Sequence, residues 1–287
     1  LEIDGLSAAF IGIDGLTLSV TDVSLKLNQA RDTDANPNND PAKLDWTALV
    51  APRMTGMTLP VLAVDNTLEL EATGTLLLQI SSFVQVFGSF AFSKSSNTTV
   101  TLSTGGTKNV SVMTFGMQGV SVFAGAGPYF VDNGQPDPEN PGETIPGADG
   151  VIDEHDTPDP DAVGLLLKDV TVAVALFKPV DTADRSSYYA VSASAELIEL
   201  PGLDLGGSET FSLDASGYRV EINGGKDGTN PNLKPSIDFS ALPGGSLLVA
   251  TGPTSSVELD FVSPVLQVAI QRATLVIDEY LYISGSF

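Results

Sequence analysis

The sequence predicts an all-β protein, an elongated β-solenoid-like stack of long alternating strands. Two observations lead to this prediction. Apolar residues alternate with a period of two, and blocks of sequence recur about 195 positions apart. Tandem β-sandwiches are the alternative, because a unit of that length is large enough to close its own core.

The alternation is clearest in segments 84–92, 170–176 and 218–222, where Val, Ile, Leu, Phe or Tyr occupies most second positions. Such a pattern places one face of a strand against a core. Segment 170–177 is apolar on both faces. This is typical of a strand buried between two layers, and a strand that lines a lipid-binding groove is the other interpretation.

The internal repeat consists of four blocks that recur in the same order. Residues 25–28 match 220–223, 36–38 match 230–232, 44–49 match 237–242, and 83–90 match 280–287. We therefore expect about one and a half copies of a repeat: residues 1–80 are the C-terminal part of one copy, and residues 81–287 are the following copy. The second copy contains an acidic, proline-rich insertion at 131–162. Both ends of the sequence fall within a repeat, as expected of a fragment of a continuous array.

The charge balance limits the partners. The sequence has 13 Lys and Arg residues against 36 Asp and Glu residues, which gives a net charge of −23 at pH 7. This charge repels nucleic-acid phosphates and anionic lipids and attracts cations. We therefore do not expect nucleic-acid binding. No apolar run reaches the length of a membrane span, so we do not expect membrane insertion either.

Calcium is the expected cofactor, and the acidic insertion offers the first candidate site. Residues 149–156 fit the second half of an EF-hand-type calcium loop. The expected ligands are Asp149, Val151 through its carbonyl oxygen, Asp153 and Asp156. The first half of the pattern is missing, since Ile145 and Gly147 stand where Asp or Asn is expected. A solvated loop that keeps the surface soluble is the alternative interpretation.

A second candidate calcium loop contains Asp32, Asp34 and Asn36, whose alternating oxygen ligands suit a hard cation. Pro37 replaces the glycine that such loops use for their turn, and Lys43 stands where a closing Glu is expected. The matching segment 226–234 keeps Asn-Pro-Asn but loses most of the acidic residues. The shared part therefore indicates a turn whose Asn side chains bond to nearby backbone.

Catalysis has little support in the sequence. There is no cysteine and a single histidine, His155, so no zinc site or catalytic triad of the usual kind is expected. We predict a protein that is not an enzyme. The alternative functions are binding of an apolar ligand or lipid in a β-groove and recognition of carbohydrate, for which Tyr129, Tyr188 and Tyr189 are the candidate residues.

Segments 83–92, 122–130 and 187–190, the last followed by Leu-Pro-Gly-Leu at 200–203, resemble repeat regions of very large secreted bacterial surface proteins. Those arrays are acidic, poor in cysteine and adhesin-like, and some are described as calcium-binding. The resemblance implies an extracellular, cell-surface location and a structural or adhesive role. It also implies that the partners are neighbouring repeats of the same chain and cell-surface or matrix components.

Overall fold

The computed structural model describes residues 1–10, 13, 15–30, 42–48, 62–81, 83–140, 143–148, 152, 156–202, 211–277 and 281–286. In this part of the chain the regular structure is fifteen β-strands and one turn of 3-10 helix. The all-β prediction is therefore confirmed.

In chain order, the strands are β1 (Glu2–Phe10), β2 (Leu16–Leu27), β3 (Leu68–Ile80), β4 (Val84–Leu102), β5 (Thr107–Ala126), β6 (Gly134–Pro136), β7 (Thr144–Pro146), β8 (Val163–Pro179), β9 (Ser187–Glu199), β10 (Phe211–Lys226), β11 (Ile237–Asp238), β12 (Leu247–Ala250), β13 (Ser256–Leu259), β14 (Val265–Ile277) and β15 (Leu281–Gly285). The 3-10 helix, Phe239–Ala241, directly follows β11.

The main sheet has eleven strands and is antiparallel throughout. Its order is β1-β2-β3-β4-β5-β8-β9-β10-β14-β15, and β11 pairs with β4 outside this path. Apart from β11, each strand thus pairs with the next main-sheet strand along the chain, as in a meander. The strand pairs β6–β7 and β12–β13 form two small hairpins of their own.

One face of the main sheet is covered by the connector between β10 and β14, residues 227–264, which contains β11, the 3-10 helix, β12 and β13. Phe239 of this connector is buried and packs against Phe177 of β8, with ring centroids 5.9 Å apart. Ala173 and Ala175 of β8 are completely buried beneath it. A Cβ atom on Gly116 would collide with the Ala250 carbonyl oxygen, so the glycine lets β12 lie directly on β5.

The segment between β5 and β8, residues 127–162, covers the same face nearer the other end of the strands. Gln85, Ser89 and Ala91 occupy alternate positions of β4 and therefore share a face. Gln85 bonds to Phe130 of this segment. The Ser89 hydroxyl donates to the Gln118 carbonyl oxygen at 2.7 Å and lies 3.4 Å from the Thr251 carbonyl oxygen of the 227–264 connector. We call this side of the sheet the covered face and the opposite side the open face.

Candidate functional site

The acidic insertion folds around a small hairpin that is held by Asp156. The Asp156 Oδ1 atom accepts hydrogen bonds from the backbone N–H groups of Asn133 (2.6 Å) and Gly134 (2.8 Å), where β6 begins. The Asn133 side chain in turn donates to the Thr157 carbonyl oxygen and accepts from the Thr157 N–H. Asp156, which the sequence predicts to close a calcium loop, thus ties the end of the insertion to its beginning.

The other six predicted calcium ligands lie outside the described residues. They are Asp149, Val151, Asp153, Asp32, Asp34 and Asn36. Within the described ranges, no group of three or more His, Cys, Asp or Glu side chains is arranged to hold a metal ion. The calcium sites therefore stay predictions, and Asp156 is the one expected ligand with a defined position.

The hairpin turn between β6 and β7 is shaped by another carboxylate. Asp137 accepts from the Asn140 side-chain amide at 3.0 Å and from the Glu139 N–H at 2.8 Å. These two hydrogen bonds favour the ionised form and hold the pKa of Asp137 below its ordinary value. The negative charge of this turn is therefore retained at neutral pH.

The Asn-Pro-Asn segment at 230–232, in the expected second copy, is a turn. The Asp227 carboxylate accepts from the backbone N–H groups of Thr229 and Asn230, both at 2.8 Å, and the Asn230 side chain accepts from the Asn232 N–H at 3.1 Å. This confirms the turn predicted for segment 226–234. The Asp227 Oδ1 and Asn230 Oδ1 atoms are thus occupied by local backbone donors.

Two buried asparagines hold the connectors in matching ways. Asn28, just after β2, donates to the carbonyl oxygens of Leu44 (2.9 Å) and Asp65 (2.7 Å). Asn223, 195 positions later in β10, donates to those of Ile237 (2.8 Å) and Ser263 (3.0 Å). In each case the side chain joins an interior residue of the connector that follows its strand to a residue near the end of that connector. The sequence blocks contain both asparagines, but sequence patterns alone did not reveal this role.

The similarity extends to the residues beside these asparagines. The Trp46 N–H donates to the Val64 carbonyl oxygen at 2.9 Å, and the Phe239 N–H donates to that of Phe261, also at 2.9 Å. Asp45 accepts from the backbone N–H and hydroxyl of Thr47, and Asp238 does the same with Ser240. The same hydrogen bonds thus join the interior of each connector to the part near its end.

Gln85 holds the acidic insertion to the sheet. Its side chain is completely buried, its Oε1 atom accepts from the N–H groups of Tyr129 and Phe130, and its Nε2 atom donates to the Phe130 carbonyl oxygen. Tyr129 also stacks on Phe123 of β5, with ring centroids 5.3 Å apart. The sequence signal was a polar residue at an inward position of an alternating strand, and its partners could not be read from the sequence.

The tyrosines considered for carbohydrate binding lie in different environments. Tyr188 is buried in the main core, and Tyr129 is buried beneath the insertion. Tyr189 is partly exposed, but it follows Tyr188 in β9 and therefore lies on the open face. The three side chains are not brought together as a platform for a sugar ring.

A shallow polar cleft lies where several strands of the main sheet lose their regular backbone. Gly119, Asp169 and Gly217, in β5, β8 and β10, all have positive φ angles of 51° to 67°. The cleft that they line has a volume of about 480 Å³ and also contains Glu196 and Arg219. Arg219 forms an ion pair with Glu221 outside the cleft lining, so part of its charge is already neutralised.

Comparison with protein families, with curated proteins and with solved structures gives no match for this chain. No helix in the described ranges has the length and apolar character needed to cross a membrane. The functional interpretation therefore rests on the geometry of the chain itself.

Proposed function

We propose that the chain is a structural or adhesive repeat module of a giant extracellular bacterial protein, in which successive copies share one continuous sheet. The main support is the matching hydrogen bonding of Asn28 and Asn223, each of which donates to an interior residue of the connector that follows it and to a residue near the end of that connector. Two unrelated stretches of chain have no physical reason to form the same hydrogen bonds between residues that lie at a nearly constant offset in sequence. The neighbouring copies of the same chain are then the first partners of each module.

The order of the strands supports the same proposal. Strands β2, β3 and β4 follow one another across the sheet in the same way as β10, β14 and β15, which begin 195, 197 and 197 residues later. One complete repeat then contributes β4, β5, β8, β9, β10 and β14. With about 4.8 Å between neighbouring strands, each repeat lengthens the sheet by about 29 Å. The array is solenoid-like in that each copy contacts only its neighbours.

An extracellular array of this kind has no need of a catalytic centre, and we propose that it is not an enzyme. Its location can be tested with an antibody raised against the purified chain. We expect labelling of intact, unpermeabilised cells and, on immunoblots, a band much larger than the 29.8 kDa of this chain. Labelling that requires permeabilised cells would contradict the proposed location, and a band near 30 kDa would contradict the array.

We further propose that calcium stabilises the acidic insertion through Asp149, Asp153 and Asp156. A cation that binds the folded insertion more tightly than the unfolded chain raises its stability. Thermal melts in excess chelator and in millimolar calcium test this, and we expect a rise of several degrees with calcium. Replacement of the three residues by Asn should abolish the rise, whereas a wild-type melt that calcium leaves unchanged would refute the proposal.

Asp156 allows the calcium role to be separated from the structural role. Asp156→Asn keeps an oxygen that can accept from Asn133 and Gly134, but it removes the negative charge. We expect this variant to melt like wild type in chelator and to lose part of the calcium response. Asp156→Ala removes the acceptor as well, and it should melt earlier under both conditions.

A second candidate function is the binding of an apolar ligand, and the observation that favours it is the open face. Leu176 and Tyr189, in β8 and β9, are among its partly exposed apolar side chains. Uptake of a fluorescent fatty acid that increases with the concentration of the purified chain would support this function. Saturable uptake that Leu176→Lys leaves unchanged would place the ligand elsewhere.

A further inference from the structure

The open face of the main sheet carries a broad apolar band. Directly paired residues form a row across six strands, consisting of Phe92, Phe115, Val174, Val191, Ile222 and Leu266. The next row, two residues further along each strand from Phe90 to Val268, is apolar as well. Neither row contains a charged or polar side chain, in a chain that has 36 acidic residues.

These apolar side chains remain accessible. Leu266 is 80% exposed and Val268 is 66% exposed, and Met113, Leu176 and Tyr189 are exposed in the neighbouring strands. In the described part of the chain, β12, β13 and the 3-10 helix pack instead on the covered face. An antiparallel sheet with one solvated face normally has polar side chains on that face. Apolar residues on both faces, as in β8, are typical of a sheet between two layers.

The size of the open face matches that of a stable interface. Six strands at about 4.8 Å spacing span about 24 Å, and nine residues of each extend about 30 Å, which gives an area of about 700 Å². A typical specific interface buries about 800 Å² on each partner. Exposed apolar patches of this size on a monomer indicate an interaction site.

The distribution of charge allows a second copy of the chain as the occupant. Molecules with a net charge of −23 repel each other and anionic membranes. Contact through the open faces avoids this repulsion locally, because the two apolar rows are uncharged. The acidic insertion is held to the covered face by Gln85, so the two insertions would point away from each other in such a pair.

We propose that the open face packs against the open face of a second copy of this chain, and that the two sheets form a two-layer sandwich with twofold symmetry. Two sheets that pack face to face lie about 10 Å apart and bury the side chains between them. In a twofold arrangement each copy supplies the same patch, so one substitution changes both sides of the interface.

The oligomeric state tests this proposal. Analytical ultracentrifugation of the intact chain should show a concentration-dependent species of twice the 29.8 kDa chain mass. Leu266→Lys places a charge on both sides of the interface and should raise the dimer dissociation constant at least about tenfold. Leu248→Lys is the matched control, because Leu248 is 65% exposed but lies in β12 of the covering connector. It should leave the dissociation constant unchanged.

A thiol-labelling experiment gives a second readout that does not depend on a destabilising variant. The chain has no cysteine, so a single introduced thiol reports on its own position only. Leu176→Cys should become protected from alkylation as the protein concentration rises, whereas Leu248→Cys should remain reactive throughout. A chain that stays monomeric up to about 100 μM would overturn the proposal, and so would dimers that Leu266→Lys leaves intact. Monomers that purify with a bound lipid would identify an apolar ligand as the occupant instead.

Discussion

Asn223→Ala is the substitution that most directly tests how the connector is held on the sheet. Asn223 is only 1% exposed, and its side-chain amide donates to the carbonyl oxygens of Ile237 and Ser263. Alanine fits the space, but it removes both donors. Ile237 and Ser263 then lose the side chain that joins them.

The expected loss of stability is about 2 kcal/mol. Each hydrogen bond contributes about 1 kcal/mol net, and the buried acceptor at Ile237 that loses this donor adds about 1 kcal/mol more. The Asn223 Oδ1 atom is buried without a hydrogen-bond partner among the described residues. Removing this unpaired atom restores about 1 kcal/mol of stability, which leaves the net loss given above.

For Asn28→Ala we expect a loss of stability of only about 1 kcal/mol, because the Leu44 and Asp65 acceptors are exposed and water can replace the amide.

Urea unfolding followed by circular dichroism measures both variants, and the fluorescence of Trp46, the only tryptophan, reports on the first connector separately. Asn232→Ala is the control, since Asn232 is exposed, and it should change the stability by less than about 0.5 kcal/mol. If Asn223→Ala matched this control, the amide would not hold the connector and our reasoning would be refuted.

Three further predictions concern other contacts of the sheet. Gly116→Ala should lower the free energy of unfolding by about 1–3 kcal/mol and speed hydrogen exchange in β12 and β13, because the new Cβ atom meets the Ala250 carbonyl oxygen. Gly285→Ala is the control: its new Cβ atom meets no other atom, so hydrogen exchange in β12 and β13 should stay unchanged. Gln85→Ala should lower the free energy of unfolding by about 2–3 kcal/mol and speed amide hydrogen exchange at Tyr129 and Phe130. The control Gln267→Ala, at an exposed position, should change neither quantity. A hydrogen bond from Lys108 lowers the pKa of Asp184 from 3.8 to about 2, so this carboxylate stabilises the fold above about pH 4 and loses that effect as the pH falls towards 2. Asp184→Asn should therefore melt earlier than wild type at neutral pH, with a difference that disappears near pH 2; a difference that persists there would contradict the assignment.

The fold class was predictable because burial of one face imposes a period of two on a strand. The main-sheet segment 84–92 shows this pattern directly, and it lies in β4. The meander order was not predictable, because alternation gives the face of a residue but not the neighbour of a strand. The sequence also could not show which connector would cover the sheet, since Phe239 meets Phe177 from a position 62 residues away.

The candidate site was less predictable than the fold. Asp156 was selected for its position in a calcium-like pattern, and in the structure it accepts from the backbone of Asn133 and Gly134. An Asp that binds backbone N–H groups and one that binds a cation look the same in sequence, because both need an exposed oxygen in a turn. Gln85 was missed for the opposite reason, since its partners lie 44 and 45 residues later in the chain.

The apolar character of both faces of β8 was visible in the sequence, and it indicated a second layer. The described part of the structure provides a covering layer on one face, formed by the 227–264 connector with Phe239 at its centre. The pattern itself cannot tell whether the other layer comes from the same chain or from another one. The area of the open face is close to that of a dimer interface, and its two apolar rows are neutral while the acidic insertion lies on the other side, so a second copy is the occupant that we propose.

Small-angle X-ray scattering of a lengthened chain tests the central claim, that successive repeats extend one sheet. The chain would carry a second copy of residues 83–279 directly after the first, and it would be measured at dilutions where it is monomeric. We predict a rigid particle that is about 29 Å longer than the present one, as expected of six added strands. Scattering of two separately folded bodies on a flexible tether, with a larger and variable spacing, would contradict the claim.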